Sequence, residues 1–190
     1  LTLAAQALRS GVGEDNFCRC LCALIRGEGI RPTAAHRLLP ELGFAAILTT
    51  NYDKLIERAF PAGTPCYTQR DAAELGRCRA GEFAIVKIHG DVDRCESIVL
   101  GTDDYRREMF GNDPGSVFLT TVFSARTVLF VGFSLTDPHL MDLLEELRVR
   151  AGGHLGPHFA LMKTRGMNRL ERKNFETSYG VQILGDDERE

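Results

Sequence analysis

The sequence predicts an α/β protein with a Rossmann-like, mostly parallel sheet and helices on both faces. Three observations carry this expectation. Short β-rich runs alternate with amphipathic helical stretches from residue 41 to 185, the pattern of a parallel sheet crossed by helices. Two junctions carry an acidic cap followed by a first-turn proline, Asp113-Pro114 and Asp137-Pro138, a strong helix-start signal. The 190 residues, 44% hydrophobic and 26% charged, suffice for one sizeable core.

The first 40 residues read as helical, with a Gly-rich break at GVGEDN (11–16). Ala45 to Leu48 then runs into Thr49 and Thr50 as a strand. Asp53 to Phe60 follows with Leu55, Ile56, Ala59 and Phe60 at helical spacing,. Phe83 to Ile88 is a second strand ending at His89-Gly90, and Ile98 to Leu100 a short third. Thr102 is placed to cap a helix over Asp103 to Phe110,. A helix from Pro114 to about Ser124 leads to the most apolar strand, Thr127 to Val131, which stops at Gly132. Beyond Pro138, Leu140, Met141, Leu143, Leu144 and Leu147 form one stripe of a helix reaching Arg150, with Asp142, Glu145 and Glu146 facing out,. Gly152-Gly153 ends that helix. His158 to Met162 is a strand, Met167 to Tyr179 a helix and Val181 to Leu184 a last strand, before a charged, solvated DDERE tail. The whole chain reads as one domain, residues 1–40 helical and 41–185 the Rossmann-like core.

Charge excludes some classes of function. Lys and Arg number 23 against 26 Asp and Glu, for a net charge of -3, and neither half carries the basic excess of a phosphate-tracking surface. No apolar run approaches the roughly 18–20 residues of a membrane span. Direct nucleic-acid binding and membrane insertion are not expected. The six cysteines, Cys18, Cys20, Cys22, Cys66, Cys78 and Cys95, match no paired zinc-ribbon spacing and read as reduced thiols of a cytoplasmic protein. The chain opens on Leu1 without a signal peptide,, and reads as a piece of a longer protein.

Ligands in open parallel sheets bind outside the carboxyl ends of strands. Three strand ends here carry polar clusters: TTNYD (49–53), HGD (89–91) and GFSLTD (132–137). Helix N-termini that follow such ends suit anions such as a pyrophosphate, and Gly132 permits close approach to the backbone. Each cluster also has a plainer reading. Asn51, Asp53 and Asp137 can be helix caps, and His89 a satisfied histidine at a strand end. His36, His139, His154 and His158 lack metal-pair spacing, so no metal site is assigned.

Taken together and in order, ILTTNYD, KIHGD and FVGFSLTDP resemble the sirtuin-like superfamily. They resemble more closely its bacterial branch found in NAD-consuming antiphage defence proteins. The resemblance spans Pro40 to Leu140 by motif and reaches Leu184 by strand order. It implies NAD as substrate, lying across the strand ends, and cleavage of the nicotinamide–ribose bond. Asn51, Asp53 and His89 match the family's catalytic positions. Asp53 would meet the nicotinamide amide, Asn51 would position water or a ribose hydroxyl, and His89 would accept a proton, with an ordinary imidazole pKa of about 6.5. Thr50, Tyr52, Gly90, Gly132, Phe133 and Ser134 match its cofactor-contacting segments. The alternatives are a non-catalytic module that binds NAD or ADP-ribose, and a protein deacylase.

Two departures shape this reading. Zinc-bearing sirtuins carry paired cysteines between the HG and GxS motifs, where only Cys95 stands here, so no zinc is expected and the deacylase reading weakens. The family's first strand and Gly-rich loop have no counterpart upstream of TNYD, since GVG (11–13) follows no strand pattern. The full protein is therefore expected to supply them. NAD, further copies of the chain and other domains of a longer protein are the expected partners.

Overall fold

The structure, a computed structural model, describes residues 2–26, 29–110, 113–133, 135–164 and 167–185. The chain divides into two compact units, Leu1–Phe118 and Leu119–Glu190.

The first unit opens with α1 (Thr2–Val12), α2 (Glu14–Arg26) and α3 (Ala34–Leu38). Its sheet has three strands in the order β1 (Ile47–Thr49), β3 (Ile85–Lys87), β2 (Cys66–Thr68), all parallel. The central strand is buried throughout: Ala84, Ile85, Val86 and Lys87 expose nothing to solvent. That is the environment of a parallel strand covered on both faces. Thr49 and Thr68 stand level with Lys87 on either side, so the three strands deliver their next residues to one end of the sheet. Between β2 and β3 runs α4 (Ala72–Ala80), the crossover that two parallel strands require.

Several expectations fail locally. Residues 53–60 form no α-helix, only a 3-10 turn over Glu57–Ala59. The carbonyl of Asp53, which a helix would need, is taken by the Lys87 ammonium, and Pro61 donates no N–H beyond it. Ile98 to Leu100 forms no strand; it is tied down by separate bonds, among them Val99 N to the His89 carbonyl at 2.9 Å. Thr102 is not a cap but the first residue of α5 (Thr102–Phe110). Asp104 takes over, its Oδ2 accepting from Leu100 N at 3.1 Å and Gly101 N at 2.8 Å. The reduced-thiol expectation also fails for one pair: Cys18 on α2 and Cys95 form a disulfide, their Cα atoms 5.7 Å apart. Cys20, Cys22, Cys66 and Cys78 are free.

The division between units falls within α6 (Pro114–Ala125). As expected, Asp113 caps this helix, its Oδ1 accepting from Gly115 N and Ser116 N at 2.7 and 3.1 Å. The second unit is a parallel sheet in the order β4 (Leu129–Val131), β5 (His158–Met162), β6 (Val181–Gly185). The strand carrying TNYD thus pairs with β3 and the strand carrying GFS with β5, in two separate ladders. α7 (Pro138–Arg150) buries Leu140, Met141, Leu144 and Leu147, while Asp142, Glu145 and Glu146 face solvent. α8 (Arg169–Asn174) runs into a π-helical turn, Phe175–Tyr179, and returns to β6. Phe123, Phe130 and His158 pack in one cluster, ring centroids 5.9 and 6.1 Å apart. The DDERE tail lies outside the described residues.

Candidate functional site

Two of the three motif loops leave the same end of one sheet. Thr50–Asp53 follows β1 and Ile88–Asp91 follows β3, its hydrogen-bonded neighbour.

The backbone of the first loop is fastened at several points. Asn51 N donates to Thr49 Oγ1 at 3.1 Å. The Tyr52 carbonyl accepts from Val92 N at 3.0 Å and from Lys87 Nζ at 3.0 Å, and the Asp53 carbonyl also accepts from Lys87 Nζ. The Tyr52 hydroxyl donates to the Val99 carbonyl at 2.8 Å, and its ring packs beside Cys22, Val92 and Ile98. Asn51 is left exposed at the loop's tip. Thr50 and Asp53 are half-buried.

In the second loop His89 is 4% exposed, with Tyr105 meeting it edge-on at 5.5 Å between ring centroids. Gly90 has φ of 94°, and a Cβ there would lie 2.3 Å from the Ser97 carbonyl oxygen. Glycine is required at that position by the chain's own packing. Asp91 N donates to Ser97 Oγ at 3.0 Å, and Asp91 Oδ1 accepts from Asp93 N at 2.8 Å.

Asp91 belongs to a buried charge cluster that sequence reading missed. Its Oδ2 lies 2.5 Å from Lys54 Nζ and 3.2 Å from Lys87 Nζ. Burial pushes its carboxyl up, but the Lys54 ammonium, the Asp93 amide and Lys87 outweigh this and hold it below the usual carboxylate value. Glu57 Oε1 lies 2.9 Å from Lys87 Nζ and accepts from the Cys66 thiol at 3.5 Å. Burial first, then the Glu57 carboxylate, push that thiol up to about 12. It stays protonated and is no nucleophile. The one signal available beforehand was a lysine at position 87 inside an otherwise apolar strand.

The third motif belongs to the second unit. Gly132 ends β4 with φ of 63°, and a Cβ there would meet nothing within 4 Å. Phe133 stacks on Phe130 at 5.7 Å. Leu135 is buried in a left-handed conformation with φ of 53°, rare for a branched residue. Asp137 caps α7 by accepting from Leu140 N at 3.1 Å. Ser134 lies outside the described residues.

Chemically, the first unit offers an exposed carboxamide, a nearby carboxylate and a buried imidazole on adjacent strand-end loops. That combination suits positioning and proton transfer. No described helix is long and apolar enough to cross a membrane.

Comparison with known proteins gives consistent results. Residues 45–184 match the family model of the SIR2-like domain. The chain is 32% identical over 157 residues to the NAD(+) hydrolase ThsA of Enterococcus faecium, covering 80% of this chain and 31% of that protein. It is 34% identical over 135 residues to the NAD(+) hydrolase ThsA of Bacillus cereus (strain MSX-D12), covering 69% and 28%. Defense-associated sirtuin 2 of Bacillus subtilis is 29% identical over 107 residues, covering 55% of this chain and 11% of that protein. The chain thus spans about a third of the length of the ThsA relatives it matches.

Proposed function

Because this chain belongs to the SIR2-like domain family, we propose that it hydrolyses NAD at the nicotinamide–ribose bond, as the effector module of a bacterial defence protein acting against phage. Supporting the activity are the ThsA relatives, named as NAD(+) hydrolases, and supporting the context is the defence-associated sirtuin. The observation that carries the chemistry is the exit of the Asn51 and His89 loops from one end of two adjacent parallel strands.

In this reading the C1′–N bond to nicotinamide breaks through an oxocarbenium-like state, as in glycoside hydrolysis. Water adds to C1′, nicotinamide leaves neutral, and one proton is released. Asn51 holds the water or a ribose hydroxyl in line with C1′, a positioning role. His89 accepts the proton. Asp53, whose Oδ1 already accepts from Leu55 N, uses Oδ2 to meet the nicotinamide amide and to place negative charge near the ribose. Thr50, Tyr52, Gly90, Gly132, Phe133 and Ser134 are assigned to cofactor contact by their motifs. The reaction belongs in the cytoplasm, with the module working beside other domains or further copies of a longer polypeptide.

The test is chromatography of the purified full-length protein incubated with NAD. Nicotinamide and ADP-ribose in equal amounts are expected. Retained NAD binding without turnover would make this a binding module, and turnover only with an acylated peptide a deacylase; either result overturns the proposal.

A further inference from the structure

Lys87 stands where the pattern of β3 favours another apolar side chain. It exposes nothing to solvent. A buried ammonium costs several kcal/mol unless it is paired and hydrogen-bonded, and this one has four partners: the carbonyls of Tyr52 and Asp53, Glu57 Oε1 and Asp91 Oδ2. Two of them belong to the loop carrying Asn51 and Asp53. A third belongs to the loop that carries His89.

Charge balance alone does not explain this arrangement. An apolar residue at 87 with a neutral residue at 57 would fill the same space, and such replacements of buried ion pairs are often neutral or stabilising. Carbonyl oxygens carry no net charge, so bonds to them fix position rather than neutralise. Nor does a metal explain it. One ligand atom each from Glu57, Cys66 and Asp91 lies within 4.8 Å of the others, the dimensions of a cation site, but Lys87 Nζ already contacts both carboxylates. The protein's own cation occupies that position.

We infer that Lys87 is a positioning residue for NAD cleavage, clamping the Asn51/Asp53 loop to the His89 loop through one buried ammonium. The inference rests on the hydrolase reading above. It concerns turnover more than binding, because a shift of about 1 Å in reacting groups can cost about 10²-fold in rate.

The test uses the full-length protein and three variants. Lys87→Met should lower kcat about 10²-fold with KM within threefold, and should speed amide hydrogen exchange in peptides covering 50–56 and 88–94. Lys87→Met/Glu57→Gln removes the carboxylate that the single variant strands; it should regain thermal stability without regaining kcat. Glu57→Gln alone keeps the ammonium and its carbonyl bonds, and should keep kcat within threefold. Recovery of kcat in the double variant, unchanged kcat or unchanged exchange in Lys87→Met, or a tenfold loss of kcat in Glu57→Gln would each overturn the inference. If Lys87→Met does not fold, the other two variants decide. If the wild type cleaves no NAD, the hydrolase reading fails, while the exchange data still decide whether the clamp exists.

Discussion

His89 is both buried and packed against Tyr105, whereas Asn51 is exposed at a loop tip whose backbone is held by its neighbours. Their alanine variants should therefore differ in stability while agreeing in turnover. Losing a general base commonly costs about 10²–10⁴-fold in rate, and losing a preorganised polar group at the reacting centre about 10²–10³-fold. We expect Asn51→Ala to leave the melting temperature nearly unchanged and His89→Ala to lower it, with both retaining NAD binding by calorimetry. Wild-type turnover in His89→Ala would remove that residue from the mechanism. The two motif glycines make a second contrast. Gly90→Ala drives a Cβ into the Ser97 carbonyl in a backbone region that disfavours side chains, and should destabilise by more than about 1 kcal/mol. Gly132 has similar dihedral strain but open space around its missing side chain. Gly132→Val should fold with a loss of about 1–2 kcal/mol. Any fall in NAD affinity beyond what that loss explains then reports a ligand lying against the backbone there. Equal affinity in wild type and Gly132→Val would detach this motif from cofactor binding.

At the scale of single elements, α2 is joined to the turn after the His89 loop by Cys18–Cys95, a link between residues 77 apart in sequence. Disulfides typically stabilise by about 2–4 kcal/mol, with the larger effects expected for longer closed loops. The oxidised and reduced proteins should therefore differ measurably in stability. Adding reductant should lower the melting temperature, and Cys95→Ser should abolish that difference. Iodoacetamide on the native oxidised protein should label exposed Cys20 and spare Cys66, whose thiol stays protonated. A melting temperature that ignores reductant would show that the bridge contributes nothing. Why these features escaped sequence reading is physical. Elements governed by local chemistry were legible: the Asp113 and Asp137 caps, the α7 stripe and the full span of β5. So were the three motif loops, because each ends a strand. Elements decided by distant groups were not. The helical spacing of residues 53–60 is real, but a lysine 34 positions beyond Asp53 claims the Asp53 carbonyl that the helix needs. The Cys18–Cys95 pairing depends on how α2 packs, which no spacing in CRCLC encodes. β2 and α4 fall in a stretch without an alternating or striped pattern long enough to read.

For the molecule as a whole, acid should act on the two units in different pH ranges. In the second unit burial, opposed only by the Phe123 carbonyl, lowers the pKa of His158 below its ordinary 6.5. The unfolded chain binds that proton first, so the stability held by neutral His158 is full above pH 6.5 and is lost as pH falls through the lower folded value. The first unit instead relies on carboxylates. Burial pushes Asp71, Asp91 and Asp104 up, but Arg94, Lys54 and Arg9 respectively, with nearby hydrogen bonds, hold each below its ordinary 3.8. Their contribution is full above pH 3.8 and disappears only as pH falls through values lower still. Titrating from neutral pH while following amide exchange should thus expose β5 and β6 at a higher pH than β1 and β3. His158→Leu, which fills a fully buried position with a group that takes no proton, should shift the first step to lower pH and leave the second in place. A single step common to both sheets, unmoved by His158→Leu, would show that the units lose their structure together and that the buried histidine does not set the order.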